Sequence, residues 1–211
     1  WELAQNMNAW GAMLAPYMLM CGLTMLQDRQ RPVHWLPLMT LMTIVIQIHL
    51  LSSLFFVATL IPFFIIGLIR TDRRWHMIGE TTLASIGTAI LTANVWGALL
   101  MLNLHNNIAT PAAFNMLKNS LVPSRFSSTR AYLIYFCWIL FVLQFVYVCC
   151  HLKRSLVNTT VTIMGAIVLM FSSIWTPWEK LAVAIPSLQH NLQFPNRLTI
   201  IAYPLLLLGV A

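Results

Sequence analysis

The chain has 211 residues, of which 59% are hydrophobic and only 8% are charged, with a mean hydropathy of +0.78. A soluble globular domain carries about 25% charged residues, so this composition excludes an ordinary soluble domain and predicts a bilayer as the solvent. The net charge of +7 lies in short loops. Anchoring against anionic lipid accounts for it, whereas a nucleic-acid partner would require a clustered, soluble basic face.

The long apolar segments are hydrophobic on every side, which is typical of membrane helices and unlike the alternating strands of a barrel. We therefore expect an all-α, polytopic integral membrane protein with a single transmembrane domain over residues 1–211. The predicted segments are 10–26, a hairpin over 36–69, 77–102, 131–151, 156–174 and 198–211, with outer loops at 103–130 and 175–197. Because the chain opens without Met and ends inside an apolar run, we expect it to be a piece of a longer protein.

The stretch 36–69 has an unusual length for a membrane segment. As one helix its roughly 34 residues would extend about 51 Å, too long for one crossing and short for two. The basic loops QDRQR, RTDRR and HLKRS favour one shared cytoplasmic face, which makes this stretch a short, re-entrant-like hairpin that bends near Gln47–His49. The alternative is a single tilted span, which would separate the first two loops.

Polar side chains in the middle of this stretch are candidates for function. His49 and Gln47 lie at membrane depth near Ser52 and Ser53, where polar groups are costly and mark functional sites by default. The alternative is that they form hydrogen bonds across helices and add modest stability. Asn94, in the segment 77–102, is a weaker candidate of the same kind.

The outer segment 175–197 combines aromatic, proline and basic residues. Trp175 and Trp178 are interface anchors by residue type, and a helical spacing of apolar residues predicts a short amphipathic helix on the outer surface. The motif QFPNR, which contains Gln193 and Arg197, follows where the chain re-enters the bilayer. An arginine there matches phosphate oxygens; the alternative is that Arg197 only extends to lipid headgroups.

Residues that could complete an active site are sparse. The only acids are Glu2, Asp28, Asp72, Glu80 and Glu179, and no paired carboxylates or Ser/His/Asp set is recognisable. The four cysteines lack the spacing of a zinc site. The sequence therefore identifies no metal site, no cofactor and no catalytic residue.

Several segments resemble a family of bacterial membrane proteins labelled after 6-pyruvoyl-tetrahydropterin synthase and close to the YfhO-type proteins. These segments are WGAMLAPYMLM, IQIHLLSSLF, LTANVWGALL and WTPWEKLAVAIPSLQHNLQFPNRL, although Asn196 stands where the family often has an aromatic residue. The resemblance implies a GT-C fold, in which short and partial helices surround an outward cavity. It also implies that Arg197 contacts a carrier phosphate, that His49 lines the cavity, and that the catalytic acid lies in an outer loop upstream of Trp1.

By this resemblance we expect a multi-pass glycosyltransferase-like protein of the bacterial cytoplasmic membrane. It would transfer sugar from a polyprenyl-phosphate carrier to a surface polymer or lipid of the cell envelope, with Arg197, Gln193, His49 and Gln47 as candidate substrate-binding residues. One alternative is a transporter or flippase of lipid-linked sugars, since interrupted helices with polar residues at mid-depth also suit transporters. The other is a membrane subunit without catalysis.

Overall fold

The computed structural model describes residues 2–105, 115–117, 120, 128–151, 156–186 and 195–208. Within these ranges the fold is all-α and contains no β-strand. The helices are α1 (Glu2–Gln27), α2 (Trp35–Ile48), α3 (Leu50–Arg70), α4 (Arg74–Leu91), α5 (Ala93–His105), α6 (Ser128–His151), α7 (Leu156–Ser172), α8 (Trp178–Ala184) and α9 (Thr199–Leu208), with a 3₁₀ turn (Pro195–Leu198) before α9. The chain divides into two compact units, unit 1 (1–108) and unit 2 (109–211).

Few of the described helices meet the length and composition required to cross a bilayer. Among the helices in the described ranges, α3 meets this requirement by itself, without a second helix. Helix α4 meets it only together with residues Ala93–Leu102 of α5, from which it is bent by 63°. Other apolar helical stretches are shorter: Met13–Gln27, Trp35–Ile48, Tyr135–His151 and Leu156–Ser172. The sequence predicts more membrane segments than this, so a polytopic arrangement stays a prediction.

Helices α2 and α3 of unit 1 form a hairpin. Arg70 Nη1, at the end of α3, donates to the Leu26 carbonyl at 2.9 Å, and the Thr71 hydroxyl donates to the Arg29 carbonyl at 2.7 Å. The end of α3 therefore lies beside the loop that leads into α2. A single tilted span over 36–69 would separate these two loops, so that alternative is wrong.

The beginning of α4 lies at the same end of unit 1. The backbone N–H of Trp35, the first residue of α2, donates to Glu80 Oε2 at 3.2 Å. The end of α1, the two outer ends of the hairpin and the beginning of α4 thus meet. We call this the arginine-rich end of unit 1, because its loops and helix termini carry Arg29, Arg31, Arg70, Arg73 and Arg74.

The bend of the hairpin lies at His49, which has extended backbone angles (φ −160°, ψ 102°). Its N–H completes α2 by donating to the Val45 carbonyl at 2.8 Å. Its ring Nδ1 accepts the Ser52 N–H at 3.1 Å and lies 2.9 Å from the Ser52 hydroxyl. The histidine thereby caps one of the N–H groups that the first turn of α3 leaves without a helical partner.

Helices α1 and α3 approach closely because glycines lie at their contact. A Cβ added to Gly67 would lie 2.5 Å from the Met25 carbonyl oxygen, and one added to Gly22 would lie 2.9 Å from the Phe63 ring. Small residues at such contacts let helix backbones pack tightly in a lipid environment, where dispersion replaces the hydrophobic effect as the source of association. This packing holds α3 against α1 along the part of α3 that leads to the arginine-rich end.

A second interruption divides the predicted helix 77–102 at Thr92. No proline or glycine occurs at this point, and the carbonyls released by the break are instead taken by side chains. Trp96 Nε1 donates to the Ala89 carbonyl at 2.7 Å, and Gln47 Nε2 donates to the Leu91 carbonyl at 3.3 Å. Satisfaction of released backbone groups by side chains is what a break in an apolar environment requires.

In unit 2, α6, α7 and α9 pack around a small core of Cys137, Leu140, Leu169, Ala202 and Leu206. A Cβ added to Gly165 of α7 would lie 2.9 Å from Leu206. Trp138 lies beside Trp175 while Gln144 bonds Thr162, so α6 and α7 run antiparallel. Phe136 lies beside Tyr203 while Gln144 bonds Leu206, so α6 and α9 run in the same direction. Helices α7 and α9 are therefore antiparallel. The beginning of α9 therefore lies towards the end of α7.

Candidate functional site

Unit 1 contains an apolar groove of about 460 Å³ between the hairpin and α4. Helices α2 and α3 contribute aliphatic and aromatic side chains, and α4 contributes alanines and hydroxyl residues. The lining consists of Met25, Leu38, Met42, Ile46, Val57, Leu60, Ile61, Phe64, Thr81, Ala84, Ser85, Thr88, Ala89, Thr92 and Trp96. Its shape and composition suit a hydrocarbon chain.

The hydroxyls of the groove wall are already used within the protein. Three donate to carbonyls one turn earlier in α4: Thr81, Ser85 and Thr92, at 2.9, 2.8 and 2.8 Å. The fourth, Thr88, donates to the Met39 carbonyl of α2 at 3.4 Å. Their polar atoms therefore face backbone, and the wall offers a mainly apolar surface.

Gln47, a predicted binding residue, joins the two helix interruptions of unit 1. Its Nε2 donates to Asn94 Oδ1 at 2.9 Å, while Asn94 Nδ2 donates back to Gln47 Oε1 at 3.1 Å. Both side chains are exposed. The amide pair thus couples the end of α2 to the start of α5, next to the groove residues Ile46 and Thr92.

His49, a second predicted binding residue, has a structural role at the hairpin bend. Its Nδ1 is engaged by Ser52, as described above, and the groove lining does not include it. The resemblance implies that His49 lines a cavity, and Gln47 is a predicted binding residue. The structure places Gln47 in the amide pair and His49 at the cap of α3, and substrate binding by either residue stays a prediction.

Arg197, the third predicted residue, lies in the 3₁₀ turn before α9 and is half-buried. The turn packs against α7 and α9, at the end of α7 that leads to Trp175 and Trp178. Burial lowers the pKa of the Arg197 guanidinium from its ordinary value, although arginine remains cationic in proteins. Gln193, the fourth predicted residue, lies outside the described residues.

Of the two predicted interface anchors beside this turn, only Trp175 is exposed. Its ring lies 4.8 Å from that of Trp138 and its side chain is 65% exposed. Trp178 is 2% exposed, and its Nε1 donates to the Ser173 carbonyl at 3.1 Å. The anchor prediction for Trp178 is therefore wrong, because the indole is buried within unit 2. The predicted amphipathic helix corresponds in part to α8, and Leu188 and Leu192 lie outside the described residues.

Gln144 is a buried polar residue that the sequence analysis missed. It is 1% exposed, its Nε2 donates to the Leu206 carbonyl, and its Oε1 accepts the Thr162 hydroxyl at 3.2 Å. A lone glutamine inside the apolar run FVLQFVYV was the available signal, since polar groups at membrane depth are rare. In the described part of the chain, no group of three or more His, Cys, Asp or Glu side chains could hold a metal ion.

Comparisons of the chain with protein-family models, with curated proteins and with solved structures find no match. The resemblance to YfhO-type proteins rests on sequence segments alone and stays a prediction. Function is therefore argued from the groove, the amide pair and the Arg197 turn.

Proposed function

We propose that this chain is a multi-pass membrane protein of the bacterial cytoplasmic membrane that binds a polyprenyl-phosphate-linked sugar, as a GT-C-type glycosyltransferase does. The observation that carries the proposal is the apolar groove of unit 1. A polyprenyl chain is a flexible hydrocarbon, and the groove offers apolar walls whose hydroxyls already bond to backbone. In unit 2, Arg197 is a separate candidate for a phosphate contact, through its planar fork of N–H donors.

A bilayer is part of this proposal because apolar side chains face outward along several helices. On α3 the exposed residues recur at helical spacing: Leu54, Val57, Ile61, Ile65 and Ile69. Helices α6 and α7 carry similar exposed residues, among them Ile139, Val142, Val146, Ile163, Ile167 and Met170. In water, such apolar surfaces would cost free energy and would cause the protein to associate. Contact with lipid removes that cost.

The described acids provide no pair for sugar chemistry. Glu2 lies at the start of α1, and Asp28 and Asp72 lie in the arginine-rich loops. Glu80 caps α2, and Glu179 lies in the first turn of α8 beside Lys180. Glycosyl transfer uses a carboxylate as base or acid. The proposal therefore assigns carrier binding to the groove and assigns the catalytic acid to none of these carboxylates.

The groove can be tested by filling it from one wall. Purified full-length protein in nanodiscs is cross-linked with a photoactivatable polyprenyl phosphate, and the labelled peptides are mapped. Labels are expected on α2, α3 and α4. Ser85→Phe, which fills the groove, should weaken carrier binding about tenfold. The phenyl ring would displace about two methylene groups of the carrier chain from the groove, which costs roughly 1.6 kcal/mol.

The matched control is Ile86→Phe, one residue along α4, where the native side chain is 54% exposed and does not line the groove. It should bind the carrier as the native protein does. Equal affinities for the two variants, or labels scattered over all helices, would reject the groove as the carrier site.

The Arg197 contact is tested separately by carrier affinity. Arg197→Lys keeps the charge but loses the fork, and Arg197→Ala loses both. Bonds between a charged group and phosphate are worth about 1.5–3 kcal/mol, or roughly ten- to a hundredfold in affinity. Unchanged affinity in both variants would remove Arg197 from the carrier site.

A flippase of lipid-linked sugars is the second candidate, and the amide pair favours it. Transporters bind substrate where interrupted helices meet at mid-depth, and Gln47–Asn94 joins two such interruptions. Proteoliposomes containing a fluorescent lipid-linked sugar distinguish the candidates. Protein-dependent bleaching of inner-leaflet lipid by dithionite supports the flippase; sugar transfer to an acceptor without bleaching supports the enzyme; binding with neither activity indicates a non-catalytic subunit.

A further inference from the structure

A polar cleft of about 400 Å³ opens at the arginine-rich end of unit 1. Three basic side chains line it: Arg31 and His34 from the loop before α2, and His76 from the first turn of α4. Its single lining acid, Glu80, is already engaged, since Oε2 accepts the Trp35 N–H at 3.2 Å and Oε1 lies 3.7 Å from His76 Nε2. The cleft therefore presents donors in excess of acceptors.

The surroundings of the cleft also favour an anion. It lies at the N-terminal ends of α2 and α4, where aligned peptide dipoles leave partial positive charge. Arg29, Arg73 and Arg74 add positive charge at the same end without lining the cleft. The cleft thus complements a negatively charged group with several hydrogen-bond acceptors.

The polar cleft adjoins apolar space through shared lining residues. Val33, His34 and Pro37 line both the cleft and a smaller cavity of about 120 Å³. Met25 and Leu38 line both that cavity and the apolar groove. One side of the unit therefore offers a basic, polar cleft followed by apolar walls, which is the polarity of an amphipathic lipid.

We propose that this cleft binds the phosphate of an anionic lipid, with Arg31 and His76 as its donors and the hydrocarbon chain directed through Met25 and Leu38 into the groove. The exposed apolar side chains of Leu36 and Trp75 beside the cleft would lie at the headgroup level of the bilayer. The inference rests on the groove of the proposed function and adds a phosphate site distinct from Arg197, in unit 1.

Lipid retention by full-length protein tests the site. The protein is purified in detergent, and native mass spectrometry measures binding of phosphatidylglycerol, zwitterionic phosphatidylcholine, glycerophosphoglycerol (the same headgroup without chains) and inorganic phosphate. Phosphatidylglycerol should bind most tightly, and the two chain-free probes should fail to displace it. Displacement by glycerophosphoglycerol or phosphate at matched concentration would overturn the lipid as occupant.

The cleft residues are tested with two double variants, of which the control removes at least as much formal charge as the cleft variant. Arg31→Gln with His76→Gln should lower phosphatidylglycerol affinity ten- to a hundredfold, because both donors to the phosphate are lost. Arg29→Gln with Arg74→Gln removes charge at the same end outside the cleft and should change affinity less than about threefold, because exposed charges act weakly through solvent. Equal losses in the two double variants would reduce the effect to surface charge and reject the site.

The outcomes separate this inference from the proposed function. A polyprenyl carrier that still cross-links to the groove in Arg31→Gln/His76→Gln protein, with phosphatidylglycerol affinity unchanged, rejects the cleft alone. If that variant loses phosphatidylglycerol binding and the native protein shows no carrier cross-linking, the cleft is supported as a lipid-phosphate site and the carrier function is rejected. Circular dichroism of each variant, expected to match native helicity, excludes misfolding as the cause.

Discussion

Gln144 shows how one polar side chain can hold three helices of unit 2 together. Its amide bonds the Leu206 carbonyl of α9 and the Thr162 hydroxyl of α7 from a position on α6. The surrounding residues are apolar, so no solvent competes for these groups. A carbonyl or hydroxyl left without its partner in such a place carries the full cost of desolvation.

We therefore expect Gln144→Ala to lower the free energy of unfolding by about 1–3 kcal/mol. The Leu206 carbonyl would lose its donor, and the shorter side chain would leave a cavity. Thr162→Val removes only one of the two bonds and should cost on the order of 0.6 kcal/mol, typical of interhelical bonds in membrane proteins. Denaturation in mixed micelles, followed by circular dichroism, measures both. Equal stability of Gln144→Ala and native protein would contradict the bridge.

Asp28 links the pH dependence of stability to the loop between α1 and α2. Its Oδ1 accepts the N–H groups of Arg31 (2.9 Å) and Gln30 (2.8 Å), and these two bonds lower the pKa of the carboxyl from its ordinary value. Because the folded pKa is depressed, the stabilisation is complete above the unfolded pKa of about 3.9 and is lost as pH falls through the folded pKa.

Asp28→Asn should therefore be less stable than native protein at pH 7, and the difference should shrink as pH falls below the unfolded pKa of about 3.9, since the asparagine does not titrate. Thermal unfolding in detergent at pH 7 and pH 3 measures the difference. Asp72→Asn, which removes a carboxylate from the neighbouring loop, controls for net charge. A difference for Asp28→Asn that stays constant from pH 7 to pH 3 would disprove the assignment.

At the residue scale, sequence predicted which side chains are unusual better than what they do. Polar residues at depth identified Gln47 and His49, but the partner of each, Asn94 and Ser52, depends on how α2, α3 and α5 meet. Trp178 was assigned to the interface by residue type, yet its burial depends on the fold of unit 2. Residue type indicates that burying a side chain costs free energy at a given position. The tertiary contacts determine which partners offset that cost.

Among the elements, the pair α1 and α3 is the most sensitive to the size of one side chain. The Cβ of an alanine at position 67 would lie 2.5 Å from the Met25 carbonyl oxygen, a backbone atom that cannot move without shifting α1. Gly79 in α4 has nothing within 4 Å of an added Cβ. The two glycines therefore form a matched test of close packing.

Gly67→Ala should destabilise the protein by about 1–3 kcal/mol, because an overpacked contact forces the backbones apart. Gly79→Ala should be neutral or stabilising by up to about 1 kcal/mol, since alanine favours the helix. Unfolding in mixed micelles measures both. A Gly67→Ala protein as stable as Gly79→Ala would show that α1 and α3 do not pack this closely.

The two interruptions differ in how far sequence could predict them. The length of the stretch 36–69 exceeded one bilayer crossing, and together with the basic loops on both sides of the stretch it predicted a bend near Gln47–His49. The break at Thr92 had no such signal, because the segment 77–102 has an ordinary length and the break contains neither proline nor glycine. It is stabilised by Trp96 and by Gln47, a residue from another helix, so only the tertiary structure reveals it.

For the whole molecule, the basic loops make a prediction about membrane sidedness. The loops 27–31 and 70–74 lie together in unit 1, and the positive-inside rule places them with 151–155 on the cytoplasmic face. Single cysteines at Arg29, Arg73 and Lys153 should all resist an impermeant thiol reagent applied to intact cells, and all should react after permeabilisation.

The four native cysteines must first be replaced by alanine, because Cys149 and Cys150 are exposed. A cysteine at Trp175, in the predicted outer loop, is the positive control and should react without permeabilisation. Labelling of one or two of the three loop positions in intact cells would refute the shared face.

The unequal arms of the hairpin have a consequence for the lipid around it. Helix α2 has 14 residues and rises only about 21 Å, whereas the hydrocarbon layer is about 30 Å thick. Helix α3, with 21 residues, rises about 31 Å and matches that thickness. In the proposed membrane setting, such hydrophobic mismatch thins the leaflets beside α2. A thinned patch there would shorten the path by which a charged headgroup moves between the two surfaces, independently of any side chain that contacts it.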